Sequence, residues 1–156
     1  MQMLIENQWL HVLLVSAMPF SELRGGIPLA IYYGFDPVKA FLIAVIGNLI
    51  PIPFLLLFLE RLRNFASRWW LTAKLYQIVE RRTERRRKLI DKYGYLGLTM
   101  FVAVPLPVTG AWTGSLLAFL LKLNPLKAFV FIAMGVIIAG IVVLSTTLGV
   151  SLVLKL

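Results

Sequence analysis

Residues 18–50 read MPFSELRGGIPLAIYYGFDPVKAFLIAVIGNLI, and residues 106–138 read LPVTGAWTGSLLAFLLKLNPLKAFVFIAMGVII. At a constant offset of 88 the two stretches align without a gap. The matched positions include proline, glycine and lysine, which chance similarity between apolar segments would not place in register. The pairs include Pro19–Pro107, Gly26–Gly114, Pro37–Pro125, Lys39–Lys127 and Gly47–Gly135. The alignment therefore indicates that one unit occurs twice.

The composition indicates an integral membrane protein. Of the 156 residues 60% are hydrophobic and 15% are charged, whereas soluble domains are nearer half apolar and a quarter charged. Three stretches without a charge, 40–59, 95–121 and 128–154, each reach the roughly 20 residues that a membrane-crossing helix needs. These stretches predict an all-α, multi-pass protein of the cell membrane.

Each copy contains two kinds of segment. The second part of each, beginning at Pro37 and at Pro125, has the length of a full-span helix. The first part is interrupted by residues that leave backbone groups unpaired, which the lipid interior does not tolerate. The legs on either side have about 14 residues and are too short to cross, which predicts a buried re-entrant hairpin. Two kinked full-span helices per copy remain the alternative. The interrupting residues are Pro19, Gly25, Gly26 and Pro28 in copy one, and Pro105, Pro107, Gly110 and Gly114 in copy two.

The topology follows from counting the crossings. A hairpin returns to its own side and the next helix crosses, so each copy crosses once and the second copy is inverted. Eleven of the sixteen Lys and Arg residues lie within 61–92, which predicts a cytoplasmic location for that segment. We expect a single membrane domain, with repeat one at 8–60, a linker at 61–92 and repeat two at 93–152.

The linker is expected to form a basic amphipathic helix on the cytoplasmic leaflet, with Trp69 and Trp70 at the headgroup level. Anionic lipid headgroups are the partners expected there, and a simple role in topology is the alternative. A net charge of +9 would suggest nucleic acid in a soluble protein, but clustering beside membrane segments does not favour that partner. The candidate lipid contacts are Arg81, Arg82, Arg85, Arg86 and Arg87.

Glu22 and Arg24 are the outstanding candidate site residues, because ionisable side chains in an apolar membrane segment are costly. In the extended backbone expected beside Gly25 they would point the same way and pair. Arg24 suits phosphate or carboxylate, and a desolvated Glu22 is a candidate to exchange a proton. A purely structural ion pair is the alternative.

The second copy places no charge opposite this pair. Its matching positions are Gly110 and Trp112. We therefore predict one site between two opposed hairpin tips, with Thr109, Trp112 and Thr113 as a counterface. Asn48 is expected to hydrogen-bond either this site or, in a structural role, another helix.

At these residues the chain resembles a known family. The segments Glu22-Leu23-Arg24-Gly25-Gly26-Ile27-Pro28, Gly47-Asn48 and FVAVPLPVTGAWTGSLLA at 101–118 resemble the small multidrug export protein family, which is related to the DedA/SNARE-associated (VTT) superfamily. The resemblance implies opposed re-entrant hairpins, functional acidic and arginine residues, dependence on a proton gradient, and lipid-phosphate transport in some relatives. The family name implies small-molecule export. This chain departs from larger relatives in its length and in its uncharged second hairpin, so a proton relay split between two hairpins is not expected.

The sequence thus predicts a membrane transporter that moves a small amphipathic or lipid-phosphate substrate across the cytoplasmic membrane. Whether transport is coupled to protons is left open by the sequence. Two alternatives remain: a small multidrug exporter of cationic compounds, and a non-transport membrane organiser or scramblase-like protein. Enzymatic activity, a cofactor and a metal are not expected, since cysteine is absent, His11 is the single histidine, and no nucleophile–base pattern occurs. A homodimer is expected to shield the hairpins.

Overall fold

The structure is a computed structural model that describes residues 2–66, 93–106 and 109–154. Within these ranges the chain is helical and contains no β-strand. The helices are α1 Gln2–Ala17, α2 Glu22–Tyr32, α3 Pro37–Leu49, α4 Pro51–Ala66, α5 Tyr95–Ala103, α6 Ala111–Leu120 and α7 Pro125–Leu154. The all-helical fold expected from the sequence is confirmed for these ranges.

Two stretches are long and apolar enough to cross a membrane, Pro37–Arg61 and Pro125–Val153, with 25 and 29 residues. The first is α3 continued by α4, with a break at Ile50. This break is expected before Pro51, whose ring clashes with the preceding turn and which lacks a backbone donor. The two candidate spans coincide with the two full-span helices predicted from the sequence.

The outer faces of these helices are apolar. Phe54 is 72% exposed, Phe58 is 64% exposed and Leu152 is 79% exposed. Side chains of this kind exposed along whole helices mark a surface that is covered in the native environment. Their continuity along both candidate spans fits contact with lipid hydrocarbon.

The helices pack in corresponding ways in the two halves. The first leg of each half packs on its own span, α1 on α3 and α5 on α7. The second leg of each half also packs across onto the other half, α2 on α7 and α6 on α4. The spans α3 and α7 contact each other. The junction between the halves is therefore formed by the second legs and the spans.

The turn that joins the second leg to the span has the same backbone form in both halves. Gly34 and Lys122, 88 positions apart, both have positive φ, at 79° and 55°. The next residue, Phe35 or Leu123, donates its N–H back into the helix, to Ala30 O at 3.0 Å and to Ala118 O at 2.9 Å. This is a Schellman ending. Because glycine adopts positive φ without cost and lysine does not, the second turn is the more strained.

The residue before each span caps it. Asp36 Oδ2 accepts from the backbone N–H of Val38 at 3.0 Å, and Asn124 Oδ1 accepts from that of Leu126 at 3.0 Å. A short polar side chain followed by proline at the first helical position is a strong helix start. The Asx-Pro pairs read from the sequence therefore form the two caps.

The first legs correspond at a different offset from the rest. A Cβ added to Gly47 would lie 2.5 Å from Leu13 O, and one added to Gly135 would lie 2.8 Å from Thr99 O. The two glycines are 88 positions apart, but Leu13 and Thr99 are 86 apart. From this contact on the first leg to the glycine of the span, the second half therefore has two residues more than the first.

The predicted breaks need a correction, because most of the glycines lie in helices. The first break is confined to residues 18–21, which include Pro19, and Gly25, Gly26 and Pro28 lie inside α2. Gly26 serves close packing, since a Cβ there would lie 1.8 Å from Ser16 Oγ. Pro28 removes one helical donor, the one that would bond the carbonyl of Arg24.

The second break spans residues 104–110 and contains Pro105 and Gly110. Gly114, predicted as part of this break, lies inside α6, where a Cβ would meet Val102 Cγ2 at 2.6 Å. Two further predictions lie outside the described residues, namely Pro107 and the linker beyond residue 66 with its tryptophans and arginine cluster.

Candidate functional site

Glu22 is a buried carboxylate at the start of α2. The residue is 6% exposed and its φ is +47°. A side chain other than glycine pays a steric cost at positive φ, and such residues cluster at functional sites. The prediction of an extended backbone at Glu22 and Arg24 is wrong, because both lie in the first turn of α2. The turn nevertheless brings the two side chains together.

The Glu22 carboxylate lies against the start of α6 in the other half. Its Oε1 accepts from the backbone N–H of Trp112 at 3.4 Å. The first N–H groups of a helix have no partner within the helix, so a carboxylate is stabilised there. A Cβ on Gly110 would lie 1.9 Å from Glu22 Oε2, so the carboxylate occupies the space of the missing side chain.

Arg24 links the carboxylate to the second break. Its Nη2 lies 3.7 Å from Glu22 Oε2, an ion pair longer than a hydrogen bond, and donates to Thr109 O at 2.9 Å. The Arg24 side chain is 27% exposed and that of Glu22 is 8% exposed. Arg24 is therefore the more accessible partner of the pair.

Thr109 shapes the second break. Its hydroxyl donates to Val104 O and accepts from the N–H of Leu106 at 3.0 Å. These bonds satisfy backbone groups that the break leaves without helical partners. They also fix the carbonyl that receives Arg24.

Trp112 links the second break to α1 through a hydrogen bond. Its indole Nε1 donates to Ala17 O, a carbonyl at the C-terminal end of α1, at 3.1 Å. The last carbonyls of a helix lack helical donors, which makes them good acceptors. Thr113, predicted in the site, donates to Gly110 O at 3.3 Å within its own helix start and does not line the cavity.

The pair opens into a small cavity between the halves, with an empty volume of about 260 Å³ that is partly open to the outside. The enclosed part has room for about one water molecule. Glu22, Arg24, Asn48 and Thr109 line it, so the structure brings four predicted site residues together. Positions 88 apart face each other across it, including Glu22 and Gly110.

Asn48 is 1% exposed, and its side-chain Oδ1 has no hydrogen-bond partner. The corresponding residue of the second half, Val136, is also 1% exposed and lines the same cavity. The wall thus carries an amide on one side and an apolar side chain on the other.

Sequence reasoning missed the apolar wall on α7 and one acceptor. Val136, Ala139 and Val143 line the cavity and follow one another at helical spacing. The match of Val136 to Asn48 at the offset of 88 is the signal that identifies this face. The carbonyl of Ala17 gives no sequence signal, because a backbone acceptor carries no residue type.

Among the residues that the structure describes, no group of three or more His, Asp or Glu side chains could hold a metal ion. The polar side chains that line the cavity are one carboxylate, one guanidinium, one amide and one hydroxyl.

The fold and the site define the class as an all-helical membrane protein with two candidate spans and a charged cavity between its halves. A family model described as "Putative small multi-drug export protein" matches residues 22–142, more than three quarters of the chain. The chain belongs to this family. No curated protein and no solved structure matches it.

Proposed function

We propose that this chain is a membrane transporter of a small amphipathic anion, and that the cavity between the two breaks is its substrate site. The observation that carries the proposal is the accessible Arg24 guanidinium at the junction of the two halves. Family membership supports transport, and an arginine in such a place supports an anionic group such as a lipid phosphate.

The proposal includes two opposed re-entrant hairpins. Helices of 9 and 10 residues, α5 and α6, extend about 14 Å and 15 Å at 1.5 Å per residue. Each covers roughly half of the 30 Å hydrocarbon core. One span per half then inverts the second half, the arrangement that the resemblance to the DedA superfamily implies.

The orientation in this proposal rests on charge. A cytoplasmic segment 61–92 makes the first hairpin enter from the outside and the second from the cytoplasm. Lys122 and Lys127, at the base of the second hairpin, then face the cytoplasm, in agreement with the same rule.

The cavity must widen for a substrate, since its enclosed part has room for only about one water molecule. Opening separates the halves at three hydrogen bonds: Arg24 to Thr109 O, the Trp112 indole to Ala17 O, and the Trp112 backbone N–H to Glu22. A substrate anion would replace Thr109 O as the partner of Arg24. Glu22, freed from Arg24, is the group in the site that can take up a proton and couple transport to a gradient.

Transport of a fluorescent short-chain phosphatidic acid into and out of proteoliposomes tests the proposal, with chemical quenching of the outer leaflet as the readout. Arg24→Ala is expected to lower the initial rate at least about tenfold, because a buried site loses its charged donor. Lys39→Ala, an exposed cation at the start of α3, is the matched control and should transport normally. An unchanged rate in Arg24→Ala would exclude the proposed role.

The family description favours a second candidate, export of small cationic compounds with Glu22 as the counter-charge. Efflux of ethidium from the same vesicles, lost in Glu22→Gln and retained in Arg24→Ala, would establish it in place of the anion site. Full activity of Glu22→Gln without a pH gradient would instead support a scramblase-like protein.

A second copy of the chain is the partner we propose. Phe20, at the tip of the first break, is 95% exposed. A hairpin tip exposed in this way benefits from cover by another protein surface. Anionic lipids bound by the linker arginines complete the proposed environment.

A further inference from the structure

The unpartnered carbonyl of Asn48 is the feature of the cavity that the proposed function leaves unexplained. Its Oδ1 is buried and accepts no hydrogen bond. Buried polar atoms in native proteins are almost always paired, and one without a partner needs an explanation. The packing of the helices does not explain why an amide occupies this position.

The second half shows that an apolar residue suffices at this position. Asn48 follows Gly47 and Val136 follows Gly135, and both glycines pack against the first leg of their own half. Both Asn48 and Val136 line the cavity and are 1% exposed. Packing alone therefore does not require an amide at this position of the first half.

No side chain that lines the cavity donates a hydrogen bond to this oxygen. Glu22 is itself an acceptor, and the Arg24 guanidinium contacts Thr109 O and Glu22 rather than Asn48. Asn48 Oδ1 therefore has no donor from the protein, and a ligand in the cavity can supply one. A ligand that binds Arg24 through an acceptor oxygen and carries its own O–H would satisfy both residues at once.

We propose that Asn48 is a specificity-determining residue that selects anions bearing a hydrogen-bond donor. The ligand class is a phosphate monoester in its singly charged form, with one oxygen on Arg24 and its O–H donated to Asn48. Singly charged anions without a donor, such as sulfate monoesters, bind less tightly because they leave the Asn48 carbonyl oxygen without a partner. This inference rests on the proposed function, since it places the anion on Arg24.

Octyl phosphate and octyl sulfate form a matched pair of probes. Near pH 5, below the second phosphate pKa of about 6, both carry a charge close to −1 and differ by one O–H. Isothermal titration of the full chain in neutral maltoside micelles, corrected with empty micelles, measures both affinities. Wild type is expected to bind octyl phosphate at least about tenfold more tightly than octyl sulfate.

Two variants separate this inference from the proposed function. Asn48→Val reproduces the residue of the second half and should reduce the preference to less than about twofold while raising the unfolding temperature, because an unpaired amide is removed. Arg24→Gln should weaken both probes.

Equal binding of the two probes by wild type, or a preference that survives Asn48→Val, overturns the role of Asn48. If Arg24→Gln still weakens both probes in that case, the proposed function stands. If Arg24→Gln binds both probes as tightly as wild type, or if wild type binds neither probe, both the role of Asn48 and the proposed function are overturned. Inorganic phosphate tests whether the ligand needs an alkyl chain. If inorganic phosphate binds and its binding depends on Asn48, the site recognises the phosphate group alone. If only octyl phosphate binds, the ligand is an amphiphile.

Discussion

The two breaks of the chain, residues 18–21 and residues 104–110, lead into helices whose first residues, Glu22 and Ala111, correspond to within one position. The first leads into the charged pair at the start of α2, whereas the second ends at Gly110 without a charge. The turns, caps and glycine contacts beyond the breaks agree between the halves at an offset of 88.

The two halves differ in charge here because the space between positions 22 and 110 holds only one side chain. Glu22 Oε2 occupies the position that a Cβ on Gly110 would need. Two carboxylates at these equivalent positions would compete for one volume and repel each other. One half therefore provides the side chain and the other provides the room and the backbone donors.

The largest expected effect is a loss of stability, and it tests whether the two halves pack in the same way. In Gly47→Ala and Gly135→Ala the new Cβ would lie 2.5 Å from Leu13 O and 2.8 Å from Thr99 O. Because the obstacle is backbone, each change should cost about 3 kcal/mol or more in the free energy of unfolding. Unfolding in mixed micelles with increasing SDS measures this.

Gly149→Ala is the matched control, since nothing lies within 4 Å of its added Cβ in the helix α7. It should be neutral or stabilising by up to about 1 kcal/mol. Tolerance of alanine at one of the two packed glycines alone would show that the halves do not pack equivalently.

A smaller effect tests the difference between the halves. Gly110→Ala places a Cβ 1.9 Å from Glu22 Oε2. The φ of Gly110 is extended, at 161°, and alanine also adopts it, so the change isolates the clash with the carboxylate. Glu22 is flexible and can move away, but it then loses its contacts to Trp112 and Arg24. We expect a loss of about 1–3 kcal/mol in stability.

The double variant Glu22→Gly, Gly110→Ala provides the control. Once the carboxylate is removed, alanine at position 110 should cost far less, which gives a coupling energy of about 1–3 kcal/mol in a double-mutant cycle. Additive effects would mean that the carboxylate does not fill the space beside Gly110.

Much of the fold could be predicted from the sequence, because its signals are local. Charge-free stretches gave the two candidate spans, and Asp36-Pro37 and Asn124-Pro125 marked the helix starts. The extents of the breaks could not be predicted, because Gly25, Gly26 and Gly114 have two uses. Glycine interrupts helices, but it also permits close helix packing, and only the tertiary neighbours decide between them.

The candidate site could be predicted in part. Glu22, Arg24, Asn48 and Thr109 were found because polar residues are rare in an apolar chain, and they line one cavity. The bond from Trp112 to Ala17 could not be predicted, because it depends on a backbone carbonyl and on the relative placement of two helices. Thr113 was a candidate by proximity in sequence, but its hydroxyl bonds within its own turn.

The smallest expected effect concerns the turn in which the halves differ by one residue, Gly34 in the first and Lys122 in the second. Lys122 adopts a φ of +55°, which costs a lysine but not a glycine. Lys122→Gly should stabilise the protein by about 1 kcal/mol, or roughly 2–4 °C in unfolding temperature. Lys122→Ala removes the same charge but keeps the steric cost, so it should give no gain. Gly34→Ala should lose about as much as Lys122→Gly gains. Equal gains from Lys122→Gly and Lys122→Ala would mean that the charge, and not the backbone, sets the stability of this turn.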